Sequence, residues 1–476
     1  MGARKITIEP VTRIEGHGRV TIHLDEKGEV EQTFFHVDEF RGLEKFCEGR
    51  PYYEMPQITQ RICGICPVSH HLAAAKACDA VARLEPPRPA KLLRELMHMG
   101  QMVQSHGMHF FHLAAPDLLL GFDAAPADRN VFGIIRANPA LALKAVNLRR
   151  YGQQIIERLG GKRVHPNFTV TGGVNAALDP KDRESIATER EAMVAIAQEA
   201  IAIMKGWVEA NQETAASFAS FPSGYMGLVD KEGGLQLYDG EIRVKDTEGR
   251  YLAQFRPEHY LSHVAEHVEP WSFLKFPYYR KAGWPNGFYR VGPLGRLNVI
   301  DKIGTPLAEE EFKLFRAIGG GRPVEGSLYY HYARLIEVLH CLERIGQLLD
   351  DPEILSKDIR AYPSEEKIPG QGVGVIEAPR GTLFHDYSTD ENGLLTRVNL
   401  IVATGNNNWA MHTAAGMVAK AYVKGENLTE GMLNRVEAAI RCYDPCLSCS
   451  THAIGQMPLE VTLVAADGRV LDRVAR

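Results

Sequence analysis

Two Cys-x-x-Cys pairs, Cys63/Cys66 in RICGICPVSH and Cys446/Cys449 in DPCLSCSTH, stand near opposite ends of a 476-residue chain. Such a loop turns over about one helical turn and can aim two sulfurs at one metal, so two loops can supply four thiolates. If both pairs serve one centre, the N- and C-terminal regions must meet and fold around it. Four thiolates suit zinc, iron or nickel, and number and type alone do not choose among them. A structural zinc site, a four-thiolate iron-sulfur cluster and a thioredoxin-like dithiol stay open at this point. The ionisable residues around both pairs weigh against a simple zinc knuckle, and the lack of a compact βαβ context weighs against the dithiol.

A chain this long does not need disulfide staples, so eight cysteines point to a reducing compartment that leaves thiolates free for metal. Cys47, Cys78, Cys341 and Cys442 lack a partner at ligand spacing and are assigned to packing. A net charge of -5 without a long Lys/Arg block excludes nucleic acid as the main partner. The start, MGARKITIEPVTRIEG, holds no apolar signal segment, and no stretch is long enough to span a bilayer. The expected location is the cytoplasm.

The predicted fold class is mixed α/β: a central helical bundle with an N-terminal antiparallel sheet and peripheral α+β elements. Residues 1–58 alternate around Gly-rich turns, with DEKG as a hairpin, and form the sheet region. Residues 59–214 form the helical core. Its helices are a first beginning at or near the cysteine pair and broken by PPRP, a second through KLLRELMHMGQMVQSHGMHFFHLAA, a third over 138–159 and a fourth from ESIATER. Residues 215–300 form a peripheral α+β region in which LQLYDGEIRVKD reads as strand, turn and strand. Residues 301–452 form a C-terminal helical and metal-binding region, with a loop and short strands around EAPRGTLFHDY and a helix before the second pair. Residues 453–476 end in a two-stranded ribbon around Asp-Gly.

Several residues bear on the thiolates. Glu15, in the turn VTRIEGHGRV with Arg13 and His17, would relay protons if it approached a sulfur; otherwise the turn is a surface Arg/Glu pair. His70 lies one turn after Cys66 and would donate to a sulfur, or else pack in the core. His106, His109 and His112 are read as core. Arg380, fixed between Pro379 and Gly381, would meet an anionic ligand or pair with Glu377 or another carboxylate. His452 would serve a second, harder metal or support the thiolate site.

Taken together, RIEGH at 13–17, RGLEKFCEGR at 41–50, QRICGICPVSH at 60–70, SHGMHFFHL at 105–113, GGKRVHPNFTVTGG at 160–173, EAPRG at 377–381 and DPCLSCSTH at 444–452 run nearly end to end. With them the chain resembles the catalytic large subunit of nickel-iron hydrogenases, specifically the soluble bidirectional NAD-reducing class. The resemblance implies reversible heterolytic oxidation of molecular hydrogen to protons and electrons. It makes Cys63 and Cys446 terminal nickel ligands, and Cys66 and Cys449 bridges to an iron carrying cyanide and carbon monoxide. Cys446 would take the proton, Glu15 would carry it on, and Arg380 would hang over the iron-side ligands. Asp444 and His70 would complete the charged surroundings. A magnesium ion would involve Glu44, His452 and a backbone carbonyl. Ser105 departs from the Asp-His that membrane-associated relatives often carry here, so the surroundings of Arg380 are expected to differ.

No further cysteine motif offers an electron relay, and no Gly-rich dinucleotide fingerprint follows a first strand. The resemblance therefore implies a heteromultimer: an iron-sulfur small subunit, and a flavin module with its own iron-sulfur clusters, FMN and NAD site. It also implies a maturation endopeptidase that removes 453–476 after His452. The competing assignments are a cytoplasmic nickel-iron hydrogenase coupled to NADP, sulfur or a deazaflavin, and a non-catalytic scaffold like the quinone-site core of respiratory Complex I. The scaffold predicts loss of the nickel thiolates, and all four stand here.

Overall fold

Apolar alternation at the N-terminus produces the expected antiparallel sheet: β1 (Arg4–Ile8), β2 (Arg19–Leu24) and β3 (Val30–His36) pair in sequence order. Val20, Ile22 and Phe35 turn inward from it and are buried. The computed structural model describes residues 4–40, 42–362, 370–424 and 428–450, and the backbone of 460–464 and 470–475.

Helix α1 (Pro67–Val81) begins directly after Cys66, because Pro67 supplies a preset φ where no amide donor is needed. It is followed by α2 (Arg88–Met108), α3 (Pro139–Gly160) and α4 (Pro180–Ala210), the last two capped by the side chains of Asn138 and Asp179. The second helix is not continuous through SHGMHFFHLAA as expected. It widens into a π-helical stretch at His109–Ala114 before resuming at Ala115–Leu120. Where α2 crosses α3, a Cβ on Gly152 would lie 2.4 Å from Gly100 O and 2.9 Å from Gln104 Cβ. Only glycine lets the two backbones come that close.

The peripheral region differs from the expected hairpin. EIRVK is a strand, but LQLYD is not its partner. The sheet runs β7 (Tyr289–Arg290), β4 (Gly224–Val229), β5 (Glu241–Lys245), β6 (Tyr251–Phe255) in spatial order. Leu237 and Tyr238 enter the core instead, where Lys76 Nζ donates to Tyr238 O at 2.6 Å and Arg94 Nη1 to its hydroxyl at 3.4 Å. Contacts to α1 and α2 override the local alternation.

Helix α5 (Tyr329–Asp350) is apolar and buried around most of its girth. The stretch predicted as a loop with short strands is a three-stranded meander of β8 (Gln371–Ala378), β9 (Gly381–Thr389) and β10 (Leu395–Ile401). Strands β8 and β9 are covered on both faces, so they lack the alternation that marks a half-exposed strand. Helix α1 lies on β8 backbone to backbone: a Cβ on Gly372 would sit 2.2 Å from Ala77 O, and one on Gly374 2.1 Å from Ala73 O. That contact sets the first cysteine pair, at the head of α1, relative to Pro379 and Arg380 at the end of β8.

Helices α6 (Asn408–Tyr422) and α7 (Glu430–Arg441, capped by Thr429) lead to the second pair. Strands β11 (Glu460–Val464) and β12 (Val470–Ala475) pair antiparallel as the expected ribbon, with the Asp467-Gly468 turn outside the described residues. One apolar core joins residues from Ile8 to Cys449, and a smaller cluster fills the space between the β4–β7 sheet and the meander. Among the described residues no helix is long and apolar enough to cross a membrane.

Replacing Gly374 with Ala should force α1 off β8. We expect a lower unfolding temperature, a destabilisation of about 1–3 kcal/mol, read by calorimetry on the full chain. An unchanged transition would show that the contact is not required.

Candidate metal centre

The Gln60–Ile62 turn delivers Cys63, whose Sγ accepts from Ile65 N at 3.2 Å and Cys66 N at 3.4 Å. At the other end α7 stops at Arg441, Asp444 takes a left-handed φ of 52°, and Cys446 N donates to Thr404 Oγ1 at 3.0 Å. The two pairs then face each other: Cys63 Sγ lies 3.2 Å from Cys446 Sγ, Cys66 Sγ 3.6 Å from Cys449 Sγ, and Cys446 Sγ 2.7 Å from Cys449 Sγ. All four sulfurs fall within 4.8 Å of one another, and none of the cysteines is more than 4% exposed. Burial pushes the Cys446 and Cys449 thiols well above the usual range, while thiol donors from Cys446, Cys449 and Cys66 hold Cys63 well below it.

Glu15 is the bridge between the chain ends. Its backbone pairs with the second cysteine loop, Glu15 N to Pro445 O at 3.4 Å and Leu447 N to Glu15 O at 3.0 Å. Its Oε2 accepts from Cys446 Sγ at 2.9 Å and from Ser448 N at 3.2 Å. The approach depends on Gly16, with φ +85°, where a Cβ would meet Leu447 Cβ at 2.8 Å and Ser448 N at 2.9 Å. The neighbours in this turn go elsewhere. Arg13 donates to Asp117 Oδ1 and Asn434 Oδ1, while His17 faces solvent beside Glu9.

Arg380 occupies the two-residue turn between β8 and β9. Its Nε donates to Asp444 O at 2.5 Å and its Nη2 to Asp444 Oδ1 at 3.2 Å. Burial works against its charge, but Asp444 and then the Cys66, Cys446 and Cys63 sulfurs outweigh that, and the guanidinium stays firmly protonated. Of the two pairings weighed for it, Glu377 is excluded, because Glu377 pairs with Arg296 at 2.7 Å. Arg380 Nη1 and Asp444 Oδ2 are sealed from water without a hydrogen-bond partner among the described residues.

Of the remaining expected residues, His70 is buried in the first turn of α1, with Nδ1 3.2 Å from His385 Nε2, and His385 Nδ1 is 2.5 Å from Tyr387 Oη. Glu44 is brought to the meander, where its Oε1 accepts from Leu400 N at 2.6 Å. His452 lies outside the described residues. His106 and His109 are core as expected: His106 bonds Glu337 at 2.8 Å, and His109 bonds Arg441 O at 2.9 Å and stacks on His331. Sequence reasoning missed Thr404, His385 and the glutamines of α2. Only the last carried a local signal, two amides one turn apart on an apolar helix.

A first-row metal bonds thiolate at about 2.3 Å, so these sulfurs can share one ion, and their softness suits nickel and iron. The buried guanidinium beside the cage, with Nη1 unpartnered among the described residues, could face an anionic group at the site.

The family described as nickel-dependent hydrogenase matches residues 41–132 and 225–452, and a HoxL-like family matches 5–40. The chain belongs to the nickel-dependent hydrogenases. It is 43% identical over 487 residues to the NAD-reducing hydrogenase HoxS subunit beta of Cupriavidus necator, with all of both chains covered. It is 44% identical over 470 residues to one subunit of the F420-non-reducing hydrogenase of Methanothermobacter thermautotrophicus, covering 97% of this chain and 98% of the relative. The crystal structure of an NAD+-reducing NiFe-hydrogenase in the H2-reduced state superposes with a TM-score of 0.91 at 45% identity, over 95% of this chain and all of that one. The mixed α/β architecture with a helical core is that of the hydrogenase large subunit, and the chain is a catalytic one of this type. Its activity is reversible activation of hydrogen at a metal centre, with electrons passed to a partner redox module.

Gly16→Ala should push Glu15 off the second cysteine loop. In the metal-free full chain, alkylation of Cys446 and Cys449 followed by mass spectrometry should then speed up roughly tenfold as the local structure opens. Parental rates would remove Glu15 as the seal of the site.

Proposed function

We propose that Cys63, Cys66, Cys446 and Cys449 hold a nickel-iron pair whose iron bears cyanide and carbon monoxide, and that Cys446 and Glu15 form the proton exit. When bound, that pair supplies the hydrogen-binding and redox chemistry. The chain's own residues then divide the work. Cys446 Sγ holds the proton, and Glu15 Oε2, 2.9 Å away, receives it. Arg380, clamped by Asp444 and with Nη1 unpartnered among the described residues, would face the anionic ligands of the iron and balance their charge. His70, at the head of α1 and bonded to His385, would belong to the polar surroundings of the first pair. The observation that carries this reading is the Cys446–Glu15 contact inside a sealed four-sulfur cage.

Two further assignments rest on the same resemblance. Glu44, held at Leu400 N, and His452 are proposed to bind magnesium through water and a backbone carbonyl. The family match stops at residue 452, which supports removal of 453–476 by a maturation endopeptidase. For the electrons we propose an iron-sulfur small subunit followed by a flavin module carrying FMN and reducing NAD. A second reading has a specific observation in its favour: F420-non-reducing chains are as similar to this one as the NAD-reducing chain is, so an acceptor other than NAD fits equally well. The partner that copurifies decides between them.

Elemental analysis with infrared spectroscopy on the complex purified from its host tests the centre: nickel, iron and bands of iron-bound cyanide and carbon monoxide are expected, and zinc without those bands would overturn it. Glu15→Gln should keep metal loading and slow hydrogen-deuterium exchange by about two to four orders of magnitude. Unchanged exchange in a loaded variant would take Glu15 out of the route.

A further inference from the structure

The first cysteine loop is held from behind by two amides that the chemistry above does not use. Gln101 Nε2 donates to Ile65 O at 3.0 Å, and Gln104 Nε2 donates to the same oxygen at 2.7 Å. Both side chains come from α2, three residues apart and therefore on one face. Gln101 is fully buried and Gln104 is 5% exposed, on a helix that also buries Arg94, His98, Ser105 and His106 among its Leu and Met side chains. Gln104 stands at the glycine crossing, where a Cβ on Gly152 of α3 would fall 2.7 Å from Gln104 N and 2.9 Å from its Cβ, so the two helices are close-packed at this point.

Ile65 O is one end of a peptide unit whose other end is Cys66 N, and Cys66 N donates to Cys63 Sγ at 3.4 Å. A carbonyl that accepts two hydrogen bonds draws electron density across its amide and makes the N–H a stronger donor. The two glutamines, the peptide and the sulfur are thus one polarised chain, with Ile65 N adding a second donor to the same sulfur at 3.2 Å. Hydrogen bonds to a ligating sulfur withdraw charge from it and raise the potential of its metal.

We propose that Gln101 and Gln104 are positioning residues that act through the Ile65–Cys66 peptide to fix Cys63 and to tune the charge its sulfur gives to the metal. The proposal rests on the nickel-iron reading for its redox consequence alone; the polarised peptide itself is a property of the chain. Gln→Met substitutions remove the donors while keeping length and apolar volume.

In the metal-free full chain, Q101M and Q104M should raise the amide hydrogen-exchange rate of the 60–66 segment roughly tenfold, leaving the segments of α3 and α5 unchanged. In the metal-loaded complex with its partner subunits, each variant should shift the nickel midpoint potential to more negative values, and the double variant should shift it further. Q104E, which keeps the shape but turns a carboxylate toward the carbonyl, should shift it at least as far as Q104M. Unchanged exchange at 60–66 would overturn the positioning role. Parental potentials in loaded variants that exchange faster would overturn the tuning role. A parent complex without nickel would sink the nickel-iron reading and still leave the exchange measurement to judge the positioning.

Discussion

Four cysteine sulfurs brought together in a dry interior are the constraint on which the rest of the fold turns. The facing sulfurs are separated by 383 positions in sequence, so the chain closes on itself end to end to assemble them. Loop-closure entropy grows slowly with length, and here the closure is supported by an apolar core that runs without a break from Ile8 to Cys449. Burial keeps a thiol neutral even with an arginine in range, as Cys78, Cys341 and Cys442 illustrate: each is raised by burial although Arg94, Arg296 or Arg334 pulls the other way. What sets the cage apart among the described residues is that four sulfurs gather within reach of the Arg380 guanidinium, a donor set that could hold a metal ion.

The groups around the cage are placed by backbone contacts more than by side-chain packing. Gly374 seats α1 and the first pair against β8, Gly16 lets the Glu15 turn reach the second pair, and Gly381, where a Cβ would fall 2.1 Å from Val291 Cγ2, holds the Arg380 turn. A missing Cβ shortens each approach to a distance no other residue allows. Main-chain positions carry less conformational slack than long side chains, so a site built this way is preorganised before any metal arrives.

Much of this was legible in the sequence because the informative residues are chemically distinctive and locally spaced. The Cys-x-x-Cys pairs, the Pro-Arg-Gly turn and RIEGH each left alternatives open alone and became informative only together, whereas the helices announce themselves through period and proline starts. The meander was less legible, since strands covered on both faces lose their alternation, and the hairpin reading of LQLYD failed because Tyr238 is claimed by Lys76 and Arg94 from distant elements. Thr404, His385 and Gln104 were hidden for the same reason: their partners lie 42, 315 and 39 positions away in sequence, and nothing adjacent to them marks the contact.

The buried acids near the cage are sorted between two arginines. His106 is engaged by Glu337, where burial would raise the carboxyl but Arg296 and the His106 bond outweigh it and hold it down to about 2. Glu337 and Glu377 are both tied to Arg296, so neither is diverted to Arg380. Arg380 is left with one carboxylate, that of Asp444, and with an Nη1 that no described residue accepts. A guanidinium shared with fewer acids keeps more of its positive field for a neighbouring anionic group. The Arg296 network is therefore segregated from the Arg380–Asp444 pair: it absorbs the buried acids of α5 and β8, so that neither competes with Asp444 for the guanidinium beside the cage.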